Sequence, residues 1–234
     1  MIVEICANSV QSAINAENGG ADRIELCQNL NEGGTTPSYA AIKYCVENLS
    51  LKTMVLIRPR PGDFCYNDAE YEAIKQDVLI CKELGVHGVV AGFLDKNLDI
   101  DIKRTAEIVK LARPMEVTFH RAFDRCRDWH IALEQIIECG CDRILTSGQR
   151  KTAPEGIGNL REIQKLAAGR IKILAGSGVN SQNVAELIRA TGVGEVHSSC
   201  KHTIENMQKT NIEDSSRYIE TDSEEVERFV AAAK

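Results

Sequence analysis

The chain has 234 residues, of which 43% are hydrophobic and 26% are charged, so it can bury one sizeable core and is not expected to be disordered. Its net charge of −6 argues against a nucleic-acid partner, because nucleic-acid binding normally leaves a basic footprint. No apolar run approaches the length of a membrane span, and the early Glu4, without a basic segment before it, argues against a secretory signal. We therefore expect a cytoplasmic protein with no membrane and no nucleic-acid partner.

The nine cysteines are expected to be reduced thiols. In a cytoplasmic chain of this size disulfides are rare, and most cysteines are buried as small hydrophobic residues. The sequence has no C-x-x-C pair, and Cys139 and Cys141 do not have zinc-finger spacing. A structural zinc site is therefore not indicated.

Short runs rich in valine and isoleucine alternate with longer helical patterns from one end of the chain to the other. A small residue closes most helices before the next strand, and this βα unit recurs about every 25 to 30 residues, which is typical of a repeat architecture. The predicted strands cover residues 2–6, 22–26, 52–58, 86–92, 115–119, 142–146, 171–175 and 194–198. The predicted helices cover about 9–18, 38–48, 69–84, 102–112, 129–139, 155–167 and 181–190.

Eight such units with short connections predict an α/β fold, a single (βα)8 TIM barrel with a closed parallel eight-stranded sheet. An open, doubly wound sheet is the main alternative. One domain is expected to cover residues 1–234. Residues from about 201 to 222 are expected to form an irregular polar tail, and 223–233 the eighth helix.

The first two predicted strands carry the same motif, E-[IL]-C-x-N, at 4–8 and 25–29. Side chains on a barrel strand alternate between the lumen and the surrounding helices. The apolar members of these strands must cover the helices, so the others are predicted to point inward: Glu4, Cys6, Glu25 and Cys27. Charges inside a barrel are costly unless paired, and a polar lumen near the strand ends indicates a functional site.

Glu25, Arg58 and His120 lie at or near the ends of predicted strands, where barrels place their active sites. We interpret them as candidate catalytic residues. The alternative is an internal salt-bridge network that fixes the register of the barrel. That structural role is favoured for Glu4 and Glu116, which lie deeper in their strands.

Cys6 and Cys27 end neighbouring strands, which run about 4.8 Å apart, so the two thiols can share one soft metal ion. Thiolate ligands favour Cu(I) or Zn(II) over hard cations. Two sulfurs that share one ion should lie about 4 to 4.5 Å apart. The alternative is that both are simply buried packing thiols.

The loop after the seventh strand reads Gly176-Ser177-Gly178, and the helix after it is predicted to begin near Ser181. Free N–H groups at that helix start, with Ser199 after the eighth strand, predict an anion site of the kind that many barrels use for phosphate. The alternative is a tight turn that needs glycine for its geometry only. Arginines of neighbouring loops are predicted to ring the pocket with positive charge: Arg58, Arg60, Arg121 and Arg125.

The chain resembles the CutC family of copper homeostasis proteins in several long stretches. These are EICANSVQSA, GGADRIELCQNLNEGGTTPS, VLIRPRPGDFCY, EVTFHRAFD, CDRILTSG and ILAGSGVN, which span residues 4 to about 200. The resemblance implies a cytoplasmic TIM barrel that forms a homo-oligomer, a dimer or tetramer, and binds copper as Cu(I) through Cys6 and Cys27. The family commonly has a Gly-Gly-Gly run where this chain has Ser177 in the middle.

Two functions are left open. The first is copper buffering or delivery through Cys6 and Cys27. The second is an enzyme acting on a small anionic metabolite, such as a phosphorylated one, with Glu25 or His120 as acid or base and Arg58 holding the anion. An interaction scaffold with a vestigial pocket explains neither set of residues.

Overall fold

The computed structural model describes residues 1–205 and 217–234. Eight parallel strands follow one another around a closed barrel, and β8 pairs with β1. The predicted TIM barrel is therefore confirmed. The strands are β1 (Ile2–Ala7), β2 (Arg23–Leu26), β3 (Lys52–Leu56), β4 (Gly88–Ala91), β5 (Glu116–Phe119), β6 (Arg143–Thr146), β7 (Lys172–Gly176) and β8 (Glu195–Ser198).

A helix follows each strand of the barrel, and side-chain caps fix several of the helix starts. Ser9 and Ser38 accept hydrogen bonds from backbone N–H groups in the first turns of α1 and α2. Asn67 and Glu70 form a capping box at the start of α3. The helices are α1 (Val10–Asn18), α2 (Tyr39–Asn48), α3 (Asp68–Leu84), α4 (Ile102–Ala112), α5 (Trp129–Glu138), α6 (Ile157–Ala167), α7 (Val184–Thr191) and α8 (Ser223–Ala233).

Part of the predicted irregular tail is a β-hairpin. Strands β9 (Lys201–Glu205) and β10 (Arg217–Thr221) pair in antiparallel fashion, and the rest of the predicted tail, 206–216, lies outside the described residues. The polar composition of this segment did not indicate a hairpin, because the hairpin is held in place largely by hydrogen bonds to the first βα unit, rather than by an apolar face. Asn15 Nδ2 donates to the Thr221 carbonyl, and the Thr221 N–H donates to Ser12 Oγ.

The apolar side chains of the barrel strands divide into two sets. The larger set packs between the sheet and the helices and includes the fully buried Val3, Ile5 and Ile24. A smaller set lines the inside of the barrel and joins Cys6 and Cys27 to Met54, Leu56 and Val90. This division agrees with the predicted inward direction of the two cysteines. Among the described residues, no helix combines the length and apolarity that crossing a membrane requires.

Candidate functional site

A cavity of about 440 Å³ opens at the carboxyl ends of the barrel strands. This is the end at which barrels of this type hold their ligands. Its polar base consists of Cys6, Glu25 and His197, and its apolar wall of Leu30, Leu56, Phe64, Leu145 and Val179. Its rim includes Gly33, Arg58, His120, Arg121, Ser177, Gly178, Asn180, Ser198, Ser199 and Lys201.

The thiols of Cys6 and Cys27 touch at the base of this cavity. Their Sγ atoms are 3.7 Å apart, and both residues are buried. The spacing is slightly shorter than the 4 to 4.5 Å expected for a shared ion, and two metal–sulfur bonds of about 2.3 Å can span it only in a bent arrangement. A bent arrangement leaves room for a third ligand. The hydrogen bond with Cys27, together with burial, raises the pKa of the Cys6 thiol well above its usual range.

His197 provides a nitrogen near the Cys6 thiol. Its Nδ1 lies 2.8 Å from Glu4 Oε1, and its Nε2 lies 3.7 Å from Glu25 Oε2. One donor atom from each of Cys6, Glu25 and His197 lies within 4.8 Å of the others, a group that does not include Cys27. A carboxylate that holds Nδ1 fixes the direction of the imidazole ring and leaves Nε2 for a metal.

His197 and its two carboxyl neighbours, Glu4 and Glu25, have shifted pKa values. Burial alone would lower the pKa of His197, but hydrogen bonds to Cys6 and Glu4 raise it well above its usual value. Burial likewise opposes ionisation of Glu4, yet the charge of Arg23 and the hydrogen bond with His197 lower its pKa to about 2. Burial raises the pKa of Glu25. The site therefore combines a carboxylate with a lowered pKa, an imidazole with a raised pKa and a carboxyl group with a raised pKa, those of Glu4, His197 and Glu25.

Below the pocket, buried ion pairs cross the barrel. Arg23 donates to Glu4 and to Glu195, and Arg143 donates to Glu195 and to Glu116. Glu4 and Glu116 thus take part in the structural ion pairs that were favoured for them. Sequence analysis did not identify the two arginines or Glu195, although the repeated D-R-I phrases at 22–24 and 142–144 place an arginine at matching inward positions.

Arg58 is buried at the rim and binds the neighbouring loops. Its terminal nitrogens donate to the carbonyls of Glu32, Gly34 and Gly62, at 3.1, 2.8 and 3.0 Å. Its Nε has no partner among the described residues, and its guanidinium lies 5.0 Å from the centre of the Phe64 ring. Arg58 therefore brings to the rim a positive charge that no carboxylate of the described chain neutralises.

His120 is the second buried polar group of the rim. Its Nδ1 accepts a hydrogen bond from the Ala122 N–H, and its Nε2 has no partner in the described part of the chain. Burial and the charge of Arg58 lower its pKa to about 3. The ring is therefore neutral at pH 7, and its proton lies on Nε2, which makes Nε2 a hydrogen-bond donor.

The predicted ring of arginines is wrong at Arg60. This side chain turns away from the pocket because Glu70 accepts from its Nε at 2.6 Å and Asp63 from its terminal nitrogen at 3.0 Å. Arg121 lines the pocket, although its Nε is paired with Asp124. Arg125 lines an adjoining cleft.

The predicted anion loop reaches the pocket only in part. Ser177, Gly178 and Ser199 line it, whereas Gly176 is buried at the end of β7. Ser177 has a φ of 80°, in the region that favours glycine. In the described part of the chain, the N–H groups of Gly178 and Val179 find no acceptor.

The expectation of free N–H groups near Ser181 is wrong. Helix α7 begins at Val184, and the Ser181 N–H donates to the Glu225 carboxylate at 3.2 Å. The Gln182 N–H donates to Asn180 Oδ1. A carboxylate from α8 therefore already occupies the position that the sequence assigned to a ligand.

Comparison with known proteins places these observations in a family. The sequence profile of the CutC family matches residues 1–202. A family protein CutC of Parabacteroides distasonis is 46% identical over 240 residues, covering 98% of this chain and 99% of the relative. A family protein CutC of Bacteroides thetaiotaomicron is 47% identical over 232 residues, covering 99% and 93%.

Solved structures give the same result. The CutC structure from Streptococcus agalactiae, described as a candidate copper homeostasis protein, superimposes with a TM-score of 0.82 at 32% identity, covering 85% of this chain and 98% of that one. The phosphoribosylanthranilate isomerase of Pyrococcus furiosus, at 16% identity and a TM-score of 0.57 over 100% of this chain and 98% of that one, shares the fold alone. The chain therefore belongs to the CutC family.

Proposed function

We propose that this CutC family protein binds copper(I) as cargo at the base of its barrel pocket, through the thiolates of Cys6 and Cys27. The observation that carries the proposal is the 3.7 Å contact between the two sulfurs, together with the grouping of the Cys6 sulfur with donor atoms of Glu25 and His197, all within 4.8 Å of one another. Sulfur and imidazole donors suit Cu(I). The description of the Streptococcus agalactiae relative as a candidate copper homeostasis protein supports the same assignment.

The surroundings of the two sulfurs also suit a soft ion. Cys6 lines the cavity while Cys27 is almost fully buried, so an ion would enter from the pocket and be shielded from water on the other side. The raised pKa of Cys6 means that its thiol is protonated in the metal-free protein. Copper binding therefore releases protons, and the affinity rises with pH.

The double substitution Cys6→Ser, Cys27→Ser is expected to weaken Cu(I) binding by about 100-fold or more, because serine oxygen is a poor ligand for a soft ion. The affinity is measured in competition with a Cu(I) chelator under reducing conditions. Cys65→Ser is the matched control, since Cys65 is the partly exposed thiol of the chain and should not change the affinity. An unchanged affinity in the double variant would leave Cys6 and Cys27 as packing thiols.

A second candidate function is acid–base catalysis on a small anionic metabolite. The cavity of about 440 Å³ is far larger than a metal ion needs, and lies in the size range of small-molecule sites. Glu25, a buried carboxyl group with a raised pKa, suits a general acid or base, and Nε2–H of His120 suits a hydrogen-bond donor to substrate. Arg58 would supply positive charge for the anion.

The anion part of this candidate is tested at Ser199. Ser199→Asp adds a negative charge at the pocket rim and is expected to weaken inorganic phosphate binding at least tenfold. Ser199→Asn is the control, because asparagine has the size of aspartate without its charge, and it is expected to bind phosphate with wild-type affinity. Amide chemical shifts of residues 177–179 and 199 report the binding. Gly178→Asp is unsuitable, because Gly178 has a φ of 70° and a Cβ there would lie 2.9 Å from Thr152. If phosphate leaves those amides unmoved, the candidate loses its anion site.

We infer a cytoplasmic location from the chemistry of the cysteines. All nine are free thiols in the structure. A reducing compartment keeps thiols in this state and so preserves the two thiols that the proposed Cu(I) site needs.

A further inference from the structure

A second cleft, of about 450 Å³, adjoins the barrel pocket. The two spaces share Gly33, Arg58, Phe64 and Arg121, so one molecule can extend from one into the other. The remaining lining residues of the cleft are Glu32, Gly62, Asp124, Arg125, Gln149 and Arg150.

The cleft concentrates arginines that have no acidic partner. Most arginines of the described chain lie within 4.0 Å of a carboxylate oxygen, as Arg121 does with Asp124. Arg58, Arg125 and Arg150 do not, when all the described residues are considered, and all line this cleft. The guanidinium groups of Arg58 and Arg125 lie 5.0 and 5.5 Å from the centre of the Phe64 ring. Positive charges that line one cleft without a carboxylate partner favour an anion there.

The wall of the cleft is fixed before any ligand binds. Asp124 accepts hydrogen bonds from the side chain of Thr146, from both the N–H and the hydroxyl of Ser147, and from the Gln149 N–H. The Arg121 guanidinium donates to Asp124 and to Ser147 Oγ at 2.7 and 2.9 Å. The carboxylate of Asp124 is thus bound by groups of the chain itself, and the Arg121 side chain is held in one orientation. A site whose donors are already oriented loses little entropy on binding.

We propose that this cleft binds the phosphate-like end of an extended organic anion whose other end lies in the barrel pocket. Guanidinium groups match the oxygens of phosphate in pairs, and the buried Arg58 contributes charge to both spaces. The Phe64 ring, at the boundary, suits an uncharged middle section. The proposal deepens the enzymatic candidate function and rests on it for the part of the ligand in the barrel pocket.

The test is a titration of the full-length protein with inorganic phosphate, followed by amide chemical shifts. In the wild type, Gly62, Gln149 and Arg150 are expected to shift together. In Arg125→Ala, Arg150→Ala the affinity read at Gly62 and Gln149 is expected to fall at least tenfold. Both residues are exposed, so the fold should tolerate the change.

The matched control is Arg161→Ala, Arg189→Ala. It removes two exposed arginines that also lack a carboxylate partner within the described residues, but that are outside the cleft, and it should retain wild-type affinity. Equal losses in both double variants would overturn the proposal, as would the absence of any shift at 149–150 in the wild type.

The outcome is separable from the functions proposed above. Shifts at 177–179 and 199 should persist in Arg125→Ala, Arg150→Ala, and Cu(I) affinity should stay unchanged. Absence of the cleft shifts in the wild type, with those at 177–179 and 199 present, would overturn this inference and leave the enzymatic candidate standing. Cleft shifts without any at 177–179 would support the cleft and count against the anion loop.

Discussion

Replacing Arg143 by alanine is expected to lower the free energy of unfolding by about 3 to 5 kcal/mol. Arg143 is 1% exposed at the centre of the barrel. It donates to Glu195 from two nitrogens, to Glu116 and to Thr118. Its removal leaves the buried Glu195 with Arg23 as its one remaining cation in the described structure and opens a cavity. Both effects destabilise the folded state.

The control for Arg143→Ala is Arg170→Ala. Arg170 pairs with Glu134 through two contacts of 2.6 and 2.7 Å, but both side chains are about half exposed, so the loss should be at most about 1 kcal/mol. Urea unfolding at pH 7 measures both variants. Arg143→Lys, which keeps the charge, should lie between the wild type and Arg143→Ala. A loss for Arg143→Ala no larger than that for Arg170→Ala would show that the ion pairs in the lumen contribute little.

The barrel itself was predictable because its signal is local. Each βα unit places an apolar strand, a turn and an amphipathic helix in a fixed order, and the same order recurs along the chain. The inward direction of Cys6 and Cys27 followed from the alternation of side chains on a strand. The apolar residues next to each cysteine in its strand were enough to determine the direction of its side chain.

The pairing of charges across the lumen was not predictable in this way. Arg23 meets Glu195, which is 172 positions away, because β2 and β8 both flank β1 in the closed sheet. His197 meets Glu4 for the same reason. Only closure of the barrel, with a definite register, decides which inward residues become neighbours. The position of His197 beside Cys6 and Glu25 therefore emerges from the fold.

Side-chain directions in the loops were the least predictable feature of the site. Arg60 and Arg58 are two residues apart, yet Asp63 and Glu70 draw Arg60 away from the pocket. At Ser181, Glu225 of the distant α8 takes the N–H group that the sequence left free. In both places a carboxylate of the chain binds the group that was predicted to be free for a ligand. No periodicity in the sequence indicates such a contact.

Between pH 7 and pH 5 the free energy of unfolding of the wild type is expected to fall, and in His120→Asn this fall is expected to be about 2 kcal/mol smaller. The pKa of His120 is about 3 in the folded protein, against 6.5 in an unfolded chain. Between these values the unfolded chain binds one more proton than the folded protein does, so stability falls as the pH falls. Asparagine cannot be protonated, and its side-chain oxygen can still accept from the Ala122 N–H that His120 Nδ1 now binds.

Urea unfolding of both proteins at pH 7 and pH 5 tests this expectation for His120. The raised pKa of His197 acts with the opposite sign, since its contribution is present below pH 6.5 and is lost as the pH rises through the folded value. That contribution is common to the wild type and His120→Asn, so it cancels in the difference between them. If His120→Asn loses as much stability as the wild type, His120 takes up a proton in the folded state near pH 6, and its Nε2–H cannot be the neutral donor of the pocket.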